Sequence, residues 1–186
     1  MTAPEPAPRP AQLQMIRPHL VDEPALPPLP AGYAIRVADG DQDERDLSHV
    51  LTTSFEEEWS VERVRSSLTA APDVLAVYVV TWNDRPVATA SSRYDAEKFP
   101  GMGYVHWVGG LPEHSGHGLG SALMARLLQD FRDRGYESAV LETDDQRLPA
   151  IKVYLRHGFL PVYDVKGEDH RPRWVSAFQR LLAPRG

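Results

Sequence analysis

The spacing of apolar residues changes period several times along the chain, and each change marks an element. Tyr33 to Val37 reads as a first strand, after which Leu47, Val50, Leu51 and Phe55 fall at helical spacing. Ser60 is placed to cap a second helix bearing Val61, Val64 and Leu68. Val74 to Trp82 and Pro86 to Ser92 read as two strands joined in a hairpin across Asn83-Asp84-Arg85. Tyr104 to Val108 is a further strand-like run. Leu119, Leu123, Leu127 and Phe131 then recur every fourth residue, with Met124 and Leu128 widening the stripe, and Gly135 ends this long amphipathic helix. Ser138 to Leu141 reads as a buried strand, and Asp144-Asp145 open another helix that holds Pro149 in its first turn and closes at Gly158. Arg173-Trp174 begin a last helical pattern through Val175, Phe178 and Leu181-Leu182. Gly167-Glu168-Asp169-His170 break the stretch before it, so a final strand is expected to be short or missing.

The most informative stretch is Ser115-Gly116-His117-Gly118-Leu119-Gly120, set between the Tyr104 to Val108 strand and the long helix. Alternate glycines let the backbone turn sharply and approach a ligand with no Cβ in the way. The new helix adds unpaired N–H groups and a partial positive charge, which together form a seat for phosphate. The spacing does not fit a P-loop, since no lysine lies between Lys98 and Lys152 to reach the terminal phosphates. It fits a dinucleotide fingerprint poorly: the last small position falls on Leu123 or Ser121, although Glu142 would serve as the ribose-binding acid.

From about Tyr33 to Tyr163 the chain resembles the GNAT-type N-acetyltransferases, which use acetyl-CoA. The turn, preceded by Pro112-Glu113, is similar to that family's Arg/Gln-x-x-Gly-x-Gly/Ala block. Ala150-Ile151-Lys152-Val153-Tyr154-Leu155-Arg156-His157-Gly158-Phe159 resembles its Ala-Ile-x-x-Tyr-x-x-x-Gly-Phe block, about 30 residues further on. Ser115 stands where the family usually has Arg or Gln, and Arg147 where an Asn often contacts the cofactor. The resemblance implies an α/β (α+β) fold: a mixed, mostly antiparallel central sheet with helices on both faces and splayed central strands that hold acyl-CoA. It implies that the pantetheine arm pairs with backbone at Val108 and Gly110, with Gly109-Gly110 suited to the accompanying bulge. It further implies that the diphosphate rests on the main chain of Ser115, Gly116, His117, Gly118, Leu119, Gly120 and Ser121, with Arg147 or His117 supplying charge.

Transfer of an acetyl group to an amine needs the neutral amine, yet a lysine-like group with pKa ~10.4 is neutral in only about one part in 2,500 at pH 7, a deficit of roughly 4 to 5 kcal/mol. A base, or a water chain leading to one, is expected near the acceptor, and the leaving thiolate benefits from a proton donor. Tyr154 matches the family position that gives this proton. For the base the resemblance points to His106, with Glu57, Glu58 and Asp144 as competitors. The acceptor is expected between the loop near Phe55 to Ser60 and the strand ends opposite the CoA arm. His106, His114 and His117 are spaced poorly for a metal, and none is expected. The chain has no cysteine, which excludes an acetyl-cysteine intermediate and leaves direct attack in a ternary complex.

With 186 residues, 42% of them apolar, the chain suits one domain, assigned to residues 31–186 with a helical C-terminal tail. Residues 1–30 hold nine of the 17 prolines and are expected to form an extended arm without helix or interior sheet, either a disordered tail or a segment whose Leu20, Val21, Leu26 and Leu29 lie across the domain or a partner subunit. A homodimer is thus one open assembly. The net charge of −6 gives no drive toward nucleic acid and weakly suits a cationic acceptor. There is no signal-peptide core, membrane-length apolar run or cysteine, so a cytoplasmic protein with no membrane partner is expected. Three other readings stay open: a dinucleotide-dependent enzyme, a CoA-binding sensor without turnover, and an interaction module whose glycine turn is structural.

Overall fold

The computed structural model describes residues 11–21 and 26–183. The strands are β1 (Leu13–Arg17), β2 (Tyr33–Val37), β3 (Val74–Trp82), β4 (Arg85–Arg93), β5 (Gly103–Gly110), β6 (Ala139–Thr143), β7 (Leu160–Val162), β8 (Asp164–Val165) and β9 (Glu168–Asp169). The helices are α1 (Gly40–Phe55), α2 (Val61–Val64, continued by a π turn Arg65–Thr69), α3 (Leu119–Asp133), α4 (Leu148–Arg156) and α5 (Arg171–Leu182). Seven strands form one sheet in the order β2-β3-β4-β5-β6-β1-β7, antiparallel except for the β5/β6 pair, and β8 and β9 make a separate two-residue hairpin. Asn83 and Asp84 turn the β3/β4 hairpin at positive φ, as a tight connection between right-twisted strands requires.

The apolar stripe of α3 buries Leu119, Leu123, Met124, Leu127, Leu128 and Phe131 in the main core, together with Ile151, Tyr154 and Phe159 from the α4 region. Gly103 lets β5 pass so close to α3 that a Cβ there would lie 2.4 Å from the Phe131 ring. Polar anchors fix the same helix. Buried Asp130 accepts hydrogen bonds from Tyr78 Oη at 2.9 Å, Ser92 Oγ at 2.8 Å and Arg134 Nε at 3.0 Å, tying α3 to β3 and β4. A carboxylate with three donors has its charge met where water is excluded. On the other face, α1 packs Leu47 and Leu51 against Trp59, Val64, Leu68, Val77 and Val79. Its first turns hold Asp43, Glu44 and Asp46, paired respectively with Arg36, Arg65 and Arg85.

The N-terminal region differs from the expected arm. β1 lies inside the sheet, paired with β6 over Leu13 to Arg17 and with β7 over Gln14 to Ile16. The prolines flank this five-residue run without entering it, and its alternation buries Leu13, Met15 and Arg17 while Gln14 and Ile16 are half-buried. Arg17 donates to the His157 and His19 carbonyls, which anchors the strand's end. Of the four apolar anchors expected after it, Leu20 is buried and Leu29 packs on the main core, whereas Val21 and Leu26 are exposed. The proline-rich stretch from Pro4 to Pro10 lies outside the described residues. Among those residues, no helix is long and apolar enough to cross a membrane.

Candidate functional site

β5 and β6 are hydrogen-bonded only at Gly103–Val105 against Ala139–Leu141, after which the two parallel strands part. Beyond Val105, therefore, β5 presents backbone groups toward the gap. The other edge of β5 stays paired with β4, but its register slips: Ser91 faces His106 and Thr89 faces Gly109. The extra residue is taken up at Trp107, whose φ of 48° is rare for an L residue with a bulky ring. The bulge thus falls on Trp107 and not on Gly109-Gly110. Packing explains why: the Trp107 ring stands edge-on to Phe55 at 5.0 Å and to Trp59 at 4.5 Å, so tertiary contacts offset a strain that such backbones store. Gly109 serves close approach instead, since a Cβ there would meet Ser54 Oγ at 2.7 Å.

At the end of β5 a single turn of 3₁₀ helix, Pro112–His114, leads into the glycine turn. Gly116 and Gly118 adopt φ of 81° and 77°, and a Cβ at either would meet nothing within 4 Å, so nothing packs against the turn at these two positions. Gly118 caps α3 without a side-chain hydrogen bond, and the first turn of the helix carries no acidic residue. The N–H groups of Ser115 and Ser121 already donate to the Pro112 and Gly118 carbonyls, so the donors left at this corner are those between them, where a helix start lacks intrahelical partners. It fits a diphosphate. Two imidazoles flank it. Tyr33 Oη is 2.8 Å from His114 Nδ1, and the Tyr33 ring lies 5.3 Å from that of His117, pinning the turn to the edge strand β2. Leu119 offers the cradle only its backbone, for its side chain is in the core. Ser121 Oγ is committed to His157 Nε2 at 2.7 Å, which joins the start of α3 to α4.

A cavity of about 80 Å³ lies where β5 and β6 diverge, lined among others by His106, Val108, Thr143, Asp144, Arg147 and Tyr154. It thus joins both expected catalytic residues to two of the expected cofactor contacts; Ser115 to Ser121 form the separate turn above. Tyr154, 5% exposed, has its hydroxyl pKa pushed up to about 12, chiefly by burial and against the opposing charge of Arg147. It is a proton donor across the whole physiological range.

His106 has surroundings that oppose the role of base. Arg93 Nη1 lies 3.1 Å from His106 Nδ1. A guanidinium only donates, so Nδ1 accepts and the neutral ring carries its proton on Nε2. Burial first, then the positive charges of Arg93 and Lys98, push its pKa down to about 3. His106 therefore has no spare lone pair and little affinity for a further proton. The competing carboxylates divide. Glu57 is paired with Arg63 at 2.8 Å, Glu58 is not among the residues that line the cavity, and Asp144 lines it with no ion pair to a described residue.

Pattern reading alone did not single out two residues here. Thr143 is 3% exposed and its Oγ1 has no hydrogen-bond partner among the described residues. The apolar run that marks β6 stops at Leu141, two residues before the strand does. Gln12 also lines the cavity, which only the insertion of β1 beside β6 brings there. Among the described residues, no cluster of His, Asp or Glu is arranged to hold a metal ion.

Comparison with known proteins places this arrangement in a family. The family profile described as acetyltransferase (GNAT) family matches residues 45–159, and the chain belongs to that family. It is 29% identical over 157 residues to a mycothiol acetyltransferase of Actinosynnema mirum, covering 80% of this chain and 51% of that protein. The chain therefore spans about half the length of that relative. Among solved structures, a GCN5-related N-acetyltransferase from Sphaerobacter thermophilus superimposes with a TM-score of 0.64 at 21% identity, over 83% of this chain and 50% of that one. The PaiA N-acetyltransferase of Thermoplasma acidophilum, solved in complex with coenzyme A, gives 0.59 at 18% identity, over 74% of this chain and 94% of that one. These structural likenesses establish the shared fold.

Proposed function

We propose that this chain transfers an acetyl group from acetyl-CoA to a primary amine by direct attack within a ternary complex. The observation that carries the reading is a continuous path. Uncapped main-chain amides at the start of α3 lead to the edge of β5 that has no strand partner beyond Val105, and that edge leads to the cavity holding Tyr154. A diphosphate, an extended amide-bearing arm and a thioester need these three environments in this order.

In the reaction the amine nitrogen bonds to the thioester carbon, the C–S bond breaks, and the sulfur takes the Tyr154 hydroxyl proton. The proton lost by the amine passes through solvent to Asp144, the cavity carboxylate without an ion pair, and from there to bulk. Tyr154 is then reprotonated from solvent. With no cysteine in this chain, none of its own thiols can carry the acetyl group. The name of the Actinosynnema mirum relative puts amines related to mycothiol first among acceptors to be tried.

The test is a thermal-shift screen with acetyl-CoA, longer acyl-CoAs and NAD, followed by thiol release over an amine panel and initial-rate kinetics. Stabilisation by acetyl-CoA, thiol release and intersecting initial-rate lines are expected. Binding without thiol release from any amine would leave a sensor, parallel lines would replace direct attack by a ping-pong route, and stabilisation by NAD alone would remove the reading altogether.

A further inference from the structure

Arg147 is the N-cap residue of α4, immediately beyond the end of β6, and its side chain reaches across the gap to β5. Its Nη2 donates to the Val108 carbonyl at 3.1 Å, and its guanidinium carbon sits 4.2 Å from the centre of the Phe55 ring. It thus spans the parted strands at the point where an extended ligand would enter. Arg147 forms no ion pair with a described residue, unlike Arg36, Arg63, Arg65, Arg85, Arg93, Arg134, Arg171 and Arg173. A half-buried cation held by one neutral carbonyl and a ring has weak partners compared with any anion that comes within reach.

The phosphate seat lies at the same edge of the sheet as Arg147. β5 and β6 run parallel, so α3 and α4 start at the same edge of the sheet. The two helices pack on each other: a Cβ on Gly120, in the first turn of α3, would lie 3.9 Å from Val153 Cγ2 in the second half of α4. A long, planar side chain at that edge is suited to meet phosphate oxygens with two parallel N–H groups.

We infer that Arg147 is a specificity-determining bolt across the acyl cleft: it rests on Val108 and Phe55, and the diphosphate of the acyl carrier draws it off, so that entry to the cleft depends on the carrier having phosphates. This rests on the acetyl-CoA reading above. A thioester with the same reacting end and no phosphate must displace the guanidinium with nothing to receive it.

The experiment compares wild type with Arg147→Ala and Arg147→Met on acetyl-CoA and on S-acetyl-N-acetylcysteamine, with one amine acceptor. The methionine variant keeps an apolar stem on Phe55 and guards against loss of packing. With acetyl-CoA, both variants are expected to raise KM roughly 10-fold or more, as loss of a charge-assisted contact does. With the short thioester, kcat/KM is expected to rise several-fold. The two substrates must move in opposite directions. If wild type turns over acetyl-CoA and both variants change the two thioesters in parallel, or leave both unchanged, the bolt is overturned while the enzyme reading stands. If wild type neither binds nor turns over acetyl-CoA, the enzyme reading fails and the bolt fails with it.

Discussion

The Tyr154 hydroxyl keeps its proton to a pKa of about 12 because burial disfavours the phenolate. In the proposed mechanism it is therefore in the right protonation state to give that proton to a departing thiolate. Tyr154→Phe is expected to lower kcat on the order of 10²-fold, within the range for loss of one general acid, while the thermal shift given by acetyl-CoA stays near the wild-type value. Equal losses in binding and turnover would make Tyr154 a packing residue. At this scale the candidate turn and the Tyr154 block were legible in the sequence, because alternate glycines and a motif of ten consecutive residues are local signals. His106 was not legible in the same way. Its tautomer and low proton affinity come from Arg93, 13 positions away in sequence but hydrogen-bonded across neighbouring strands. Trp107 follows the same rule, since its positive φ is held by Phe55 and Trp59 from the α1–α2 connection.

Among the elements, β1 does the most to complete the sheet relative to its five residues. It supplies the pairing partner of both β6 and β7 and buries Leu13 and Met15 completely. Met15→Ala is expected to cost about 2–5 kcal/mol through lost burial and the cavity left behind, read as a lower denaturation midpoint in urea with an unchanged slope. Less than about 1 kcal/mol would mean the strand is peripheral. Its alternation was present in the sequence, but five residues among prolines carry no sign of a partner more than a hundred positions away. The hairpin of β3 and β4 and the helix α3 were far easier to read. One declares itself by a turn between two apolar runs, the other by four turns of one stripe. The tail is intermediate: α5 follows its pattern, and the expected weak final strand is the three-residue β7 followed by the small β8/β9 hairpin.

Over the whole molecule, buried histidines and paired carboxylates set the response to acid in two stages. Above about pH 6.5 His106 and His157 are neutral in both folded and unfolded chains and contribute no pH dependence. Below it the unfolded chain binds protons first, because burial and neighbouring arginines lower the folded pKa values to about 3 and about 4. Stability is then lost progressively as pH falls toward those values. At lower pH still, Asp43, Glu44, Asp46 and Asp145, whose pKa values are lowered by hydrogen bonds to their arginine partners, lose the stability that their ionised forms provide above the ordinary carboxylate range. Melting temperature is expected to decline already between pH 6.5 and 4.5, and His106→Gln should flatten that part of the curve. A wild-type curve level down to pH 4.5 would show that the histidines are not held neutral.

What the sequence by itself determined are the features encoded within a few neighbouring residues: the long helices, the β3/β4 hairpin, the glycine turn at the start of α3, and the place of Tyr154 on α4. Periodicity, capping and positive φ act over one or two turns of chain, so they can be read from it directly. Only the tertiary structure decided that β1 enters the sheet, that Trp107 takes the bulge, that Arg93 occupies His106, and that Arg147 crosses to Val108. Each of these depends on groups far apart in sequence competing for the same space or the same lone pair, and that competition is settled when the sheet assembles.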